Sequence, residues 1–287
     1  DQMIRIPIPL NVGYLEGVDR RTNKEWLHKG LIVTADNPIT LYASNSNLNS
    51  YDASKIYPRE ALNREYVIQT FSADRSGNEF AIVSTANNNK IAINVQETQS
   101  GQVTLRQQIT LTLQKGETYL YKAQGEATIT SISGTSICAD FPIAVYQGGE
   151  NSAIPQDNTR GPFSHIYTQA PPTDSWGKNY VVTRTEGQNK DYVLFTAAED
   201  ATELYQNGNL IATLNKRQTW EILLEWPVAG REAVSFHASK AVMCCLYQIG
   251  DYTTNGVPTV TDITPIEQGV NEALCGTFRY CLNATME

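Results

Sequence analysis

Histidine is the scarcest residue here that could do chemistry, with only His28, His165 and His237. A metal site or a hydrolase triad would have to draw on these three. His165 stands out because it opens the segment His165-Ile-Tyr-Thr-Gln-Ala-Pro-Pro-Thr-Asp-Ser-Trp-Gly-Lys-Asn-Tyr-Val-Val182, which also holds Pro171, Pro172, Asp174, Trp176 and Gly177. His and Trp at a strand–loop boundary usually bond backbone groups and plug the end of a core, and that is the reading taken for both. The five cysteines (Cys138, Cys244, Cys245, Cys275 and Cys281) form no Cys-x-x-Cys pair, so zinc ribbons and thioredoxin-type sites are disfavoured. Cys244 and Cys245 are adjacent in a strand-like run and should point to opposite faces. Most of the cysteines read as buried apolar filler.

Other catalytic patterns are missing. The sequence has no Gly-x-Ser-x-Gly elbow, no His-Glu-x-x-His, no phosphate loop and no dinucleotide fingerprint. Asp74-Arg-Ser-Gly-Asn78 starts like a calcium loop but lacks the later oxygen ligands, and a hairpin turn explains it better. The polar stretch Glu150–Asp157 reads as a linker. Carboxylates such as Glu221 and Glu225 leave a hydrolase reading open, since a glycosidase is defined by a separation that sequence does not give. No metal or cofactor is expected. Asn283-Ala-Thr285 is a glycosylation sequon, meaningful only in a eukaryotic secretory host.

The elements that would position these residues are organised by an internal repeat. Ala35-Asp-Asn-Pro-Ile-Thr-Leu-Tyr42 matches Ala139-Asp-Phe-Pro-Ile-Ala-Val-Tyr146, and Lys240–Tyr247 is a weaker third copy, aligned on its final Tyr. Asp36 with Pro38, and Asp140 with Pro142, are expected to cap the starts of strands, since proline has no N–H to give a ladder. Three further pairs recur in order: Arg64–Thr70 with Lys178–Arg184, Glu79–Ala86 with Asp191–Ala198, and Gln114–Tyr119 with Asn215–Trp220. The loop around Val95–Gln108 should be longer in the first copy. Each copy reads as short alternating strands between turns at Gly77-Asn78, Asn87–Asn89, Lys115-Gly116 and Ser133-Gly134.

The expected fold is therefore all-β, built of tandem antiparallel β-sandwich-like repeats. The division expected is N-terminal strands of a partial unit at 1–56, one sandwich at 57–150, a second at 151–262, and a partial unit at 263–287. The two partial units are expected to complete one another as a third. The C-terminus stops straight after a strand-like stretch, and more protein is expected to follow it. The opening at Asp1 fits a processed signal peptide or a trimmed chain.

Composition narrows the function classes. The chain has 287 residues, 41% hydrophobic and 18% charged, which is too apolar for disorder. Lys and Arg number 22 against 30 Asp and Glu, with no basic stripe, so nucleic-acid binding is not expected. No apolar run approaches the ~20 residues a membrane helix needs, so no membrane insertion of this segment is expected. The Asn/Ser/Tyr-rich stretch Tyr42–Tyr51, with Tyr42, Asn45, Asn47 and Tyr51, is a candidate binding loop of the adaptable polar–aromatic kind. The crevice near Gln147–Pro172 is a second candidate.

The segment from His165 to Trp176-Gly177, the two Ala-Asp-x-Pro-Ile signatures and the Pro265-Ile-Glu-Gln268 step resemble the IgGFc-binding protein N-terminal domain family, over about Gly30 to Gln268. The likeness is to its bacterial secreted or surface relatives. It implies an extracellular or cell-surface binding or adhesion module without enzymatic activity, which recognises a host protein or a glycan. A structural spacer of a surface protein and a secreted hydrolase with an undetected carboxylate site are the alternatives.

Overall fold

The computed structural model describes residues 3–9, 26–27, 29–47, 50–71, 77–99, 102–123, 131–154, 162–185, 189–226, 233–250 and 256–270. Among them there is no α-helix, and the regular structure consists of seventeen strands and three short 3-10 turns. The strands before the first turn are β1 (Trp26–Leu27), β2 (Leu41–Asn47) and β3 (Ser50–Ile56). A first set follows: β4 (Asn63–Val67), β5 (Asn78–Ser84), β6 (Asn89–Gln99), β7 (Gln102–Leu113), β8 (Thr118–Lys122), β9 (Ser136–Ser152) and β10 (Ser164–Gln169). The second set is β11 (Gly177–Thr183), β12 (Lys190–Ala197), β13 (Thr202–Gln206), β14 (Asn209–Leu214), β15 (Thr219–Glu225), β16 (Ala233–Gln248) and β17 (Thr259–Asp262).

The two sets build the same antiparallel sheet twice. One sheet runs β1-β8-β5-β9-β6-β7, with β4 and β10 also on β9. The other runs β14-β13-β16-β12-β15, with β11 and β17 on β16. The long strand in each is the pivot. The first half of β9 pairs with β4 and β6, and its second half pairs with β5 and β10. The first half of β16 pairs with β11 and β13, its second half with β12 and β17. A strand shared by both faces lets the sheet curl over its own apolar side. Tyr66, Phe80, Ile82 and Ile143 fill one core, and Tyr180, Val193, Phe195 and Val242 the other. The tandem all-β expectation holds.

The details of the repeat differ from expectation in four places. Asp140 and Pro142 do not start a strand; they lie inside β9. Ala139 is the last partner of β6 and Ile143 the first of β5, so Pro142 falls in the gap where β9 changes neighbours and no ladder donor is required. The long loop of the first copy is instead a hairpin arm, β6–β7, against the short β13–β14. The third signature copy is shifted by two residues: Cys245, not Tyr247, stands opposite Asp262 as Tyr146 stands opposite Gln169. A two-residue slide keeps every side chain on its face, so the pattern could not reveal it. The fourth difference is a single residue: Phe80 and Ile82 face the first core, and Val193 and Phe195, not Tyr192, are their counterparts. Strand β12 is buried on both faces, so its apolar run lost the alternation that fixes register.

The turns behave as their residues suggest. Gly77, Gly116 and Asn88 adopt positive φ, and Arg217 holds the position equivalent to Gly116 at φ 67°. The two sheets meet over a shared apolar cluster that includes Val67 and Phe71 from the first set, Leu194, Met243 and Tyr247 from the second, and Trp176 between them. Gln69 crosses this seam: its amide donates to Thr196 Oγ1 at 2.8 Å, and its carbonyl accepts from the Tyr247 hydroxyl at 3.1 Å.

Candidate functional site

Strand β10 delivers His165 between two acids from distant parts of the chain. Its Nδ1 is 2.6 Å from Asp52 Oδ2 on β3, and its Nε2 is 3.3 Å from Glu79 Oε1 on β5. Burial by itself would lower the imidazole pKa, but the two carboxylates outweigh it and raise it to about 10. The ring is therefore an imidazolium at neutral pH and donates from both nitrogens. Burial pushes the Asp52 carboxyl upward, and its bond to His165 opposes that. Asp52 Oδ1 and Glu79 Oε2 are buried with no hydrogen-bond partner among the described residues.

This arrangement is a charged staple. Both ring nitrogens face carboxylates, so neither is left to take a proton from Ser50 or Ser164, whose hydroxyls bond each other at 2.9 Å nearby. The staple fixes hairpin β2–β3 to the first sheet, and hydroxyl contacts extend the seam. His165 N–H donates to Ser50 Oγ (3.0 Å), Gln169 N–H to Ser54 Oγ (2.9 Å), and the Tyr167 hydroxyl to the Ala43 carbonyl (2.9 Å). Among the described residues, no cluster of His, Cys, Asp and Glu is arranged to hold a metal.

The candidate binding loop is not a loop. Tyr42, Asn45 and Asn47 lie on β2, with Tyr42 opposite Lys55, Asn45 opposite Asp52 and Asn47 opposite Ser50; Tyr51 is on β3 opposite Ser46. The polar stretch forms a hairpin because the backbone groups that face across the pair bond each other in register from Leu41–Ile56 to Asn47–Ser50, even without an apolar face. Tyr51 is 40% exposed. The equivalent hairpins β9–β10 and β16–β17 end beside it. Ser50 bonds Ser164, Gly250 N–H donates to the Ile154 carbonyl (2.9 Å), and Gly250 packs between Pro162 and Pro258. The described residues that flank the three hairpin ends are thus neighbours. The stretch Gln147–Pro172, where a crevice is expected, comprises the end of β9, strand β10 and the chain up to the second 3-10 turn, with residues 155–161 outside the described residues.

The rest of the His165–Gly177 segment joins the two sheets. Pro172 precedes the 3-10 turn Thr173–Ser175. Trp176 is 7% exposed within the shared cluster, and its indole N–H donates to the Pro171 carbonyl. The buried-plug reading of Trp176 fits this placement. Asp174 accepts from the Asn63 side chain at the head of β4. Gly177 has no room for a side chain, since an added Cβ would lie 2.3 Å from Pro265. Asp36 and Pro38 are exposed ahead of β2. Cys244 and Cys245 point to opposite faces and are both buried, while Cys138 is exposed. His28, Asp74, Cys275, Cys281 and the Asn283 sequon lie outside the described residues.

Sequence reasoning found His165 but missed Asp52, Glu79 and Ser50. No spacing links His165 to Asp52, 113 residues away, because the packing of β3 against β10 brings them together.

The fold and this site define a class: a tandem curled-sheet module whose buried charges tie strands together. The chain belongs to the IgGFc-binding protein family, whose sequence profile, described as "IgGFc binding protein", matches residues 52–277. The human "IgGFc-binding protein" is 25% identical over 212 residues, covering 69% of this chain and 4% of the human protein. The chain thus spans a small fraction of the curated relative it matches. No solved structure matches.

Proposed function

We propose that the chain is a non-enzymatic extracellular binding module that recognises a protein through the end where its three hairpins meet. The observation that carries this reading is the convergence of those ends on one rigid support, with Tyr51 exposed and Asn45 on the neighbouring strand. Rigid scaffolds presenting aromatic and amide side chains are how such modules combine adaptability with low ordering cost. Membership of the family supports a protein partner, and the human relative carries the Fc part of immunoglobulin G in its name. The engagement of His165 by two carboxylates argues against a hydrolytic centre there.

The test is surface plasmon resonance with immobilised human IgG Fc, alongside a panel of secreted proteins and a glycan array. Binding to a protein is expected, and Tyr51→Ala should weaken it about ten-fold or more without changing the melting temperature. Binding to glycans alone, or a Tyr51→Ala variant that binds its protein unchanged, would remove the proposal.

A further inference from the structure

Hairpin β2–β3 is a two-stranded sheet of its own, and no ladder among the described residues joins it to either large sheet. A lone two-stranded hairpin is marginal in water, so its order depends on how it is seated. Side chains seat it. Ser50 and Ser54 accept the backbone N–H groups of His165 (3.0 Å) and Gln169 (2.9 Å), and Asp52 meets the His165 ring. Past the end of β3, Tyr57 donates its N–H to Gln169 Oε1 (2.8 Å) and its hydroxyl to Asp262 Oδ2 (2.6 Å). Tyr57 is thus the point where the hairpin reaches both β10 and β17.

The residues that meet there hold equivalent places in the repeat. Lys55 stands opposite Tyr42, Gln169 opposite Tyr146 and Asp262 opposite Cys245, each three residues before the proline that precedes a 3-10 turn. One position therefore carries a cation, an amide and an acid in turn. Gln169 receives the Tyr57 N–H with no charge to bury. Asp262 differs, because its Oδ1 is buried with no hydrogen-bond partner among the described residues while Oδ2 accepts from Tyr57. Lys55 is the cation that faces it, from an exposed position. Its other titratable neighbours among the described residues are Tyr57 itself, Cys244 and Cys245 on β16, and Tyr180 on β11. Burial pushes all four upward, so they stay neutral.

A carboxylate shut away from water with so little to bond it is costly, and a proton removes the cost. Burial accordingly raises Asp262 from the ordinary aspartate range to about 6, against the pull of Tyr57 and Lys55. Lifting the hairpin would take Tyr57 off Asp262 and return the carboxylate to water.

We propose that the seat of hairpin β2–β3 is a proton latch: Asp262 takes up a proton as Tyr57 closes over it, so mild acid tightens the seat and a rise to neutral pH loosens it. The seated form holds the extra proton between about pH 4 and pH 6, and seating strengthens as the pH falls through that window. Asp52 on the same hairpin is pushed the same way by burial, and His165 keeps its proton throughout in the seated form.

NMR hydrogen exchange on the full chain tests this with no partner present. The reporting amides are His165, Gln169 and Tyr57, which bond across the seam, with rates corrected for the intrinsic effect of pH. They should exchange faster than the amides of β5, because the hairpin lifts without unfolding the sheet. Their protection should rise about ten-fold or more between pH 7 and pH 5, and Asp262→Asn should take about ten-fold from that rise. Carboxyl-carbon NMR of the wild type should place the Asp262 midpoint near pH 6, and Tyr57→Phe should move it higher, since the hydroxyl bond holds it down. Seam amides that exchange no faster than β5, or whose protection does not grow in acid, overturn the proposal. So does a rise that survives Asp262→Asn whole. A wild-type Asp262 midpoint near pH 4 overturns it even if the variant fails to fold.

Discussion

At neutral pH the His165 imidazolium sits between Asp52 and Glu79, and the worth of that contact depends on its charge. Its folded pKa of about 10 lies above the ~6.5 of an unfolded histidine, so the bound proton favours the folded state. The stabilisation is complete below about pH 6.5 and is lost as the pH rises through about 10. Removing the ring also strands two carboxylates, a loss larger than the net value of the contact. Urea denaturation of wild type and His165→Gln at several pH values checks the sign. The gap between the two proteins should narrow steadily from pH 6.5 towards pH 10, and a constant gap would mean the ring is neutral in the fold. Only the rarity of histidine and its place in a distinctive segment pointed to this residue from sequence. Its partners stayed hidden because the pairing of β5 and β10 with β9 and the packing of β3 against β10, not spacing along the chain, deliver them.

Strands tell a parallel story. Tyr66 and Tyr180 are the clearest marks of the repeat, and their hydroxyls do the same work in each unit. Tyr66 accepts from Asn63 N–H (3.1 Å) and donates to the Ile143 carbonyl (2.7 Å); Tyr180 accepts from Gly177 N–H (3.1 Å) and donates to the Val242 carbonyl. Each hydroxyl bridges the start of a strand to the point where the central strand changes neighbours. Tyr66→Phe and Tyr180→Phe should therefore each cost about 1–3 kcal/mol, because buried backbone groups lose their partner. Equal shifts of the urea midpoint are the expected result, and one silent variant would show that the two copies are not mechanically equivalent. These tyrosines and the flanking turns were legible because each tyrosine points into a core beside polar neighbours, Glu65 before Tyr66 and Asn179 before Tyr180. The outer part of the β6–β7 arm, around Val95–Gln108, and the β2–β3 hairpin read as loops for the opposite reason. Gln, Asn, Ser and Thr alternate there with little apolar periodicity, so backbone pairing sets the structure without a hydrophobic signature.

For the molecule as a whole, the question is whether two copies of one sheet behave as two bodies. Joined domains move independently by default unless their interface is large and apolar. Here β12 uses both of its faces: Val193 and Phe195 belong to the second core, while Leu194 enters the shared cluster with Val67, Phe71 and Met243. Gln69 adds two buried hydrogen bonds across the same seam. Neither sheet can lose its strands without exposing the other's apolar surface, so unfolding should be a single cooperative event. Scanning calorimetry is expected to show one transition with matching calorimetric and van't Hoff enthalpies. Leu194→Asp would bury an unpaired carboxylate in the cluster at a cost of several kcal/mol. It should split the profile into two transitions, because the seam fails before either core does. Two transitions in the wild type would instead mean that the cluster is contact without coupling.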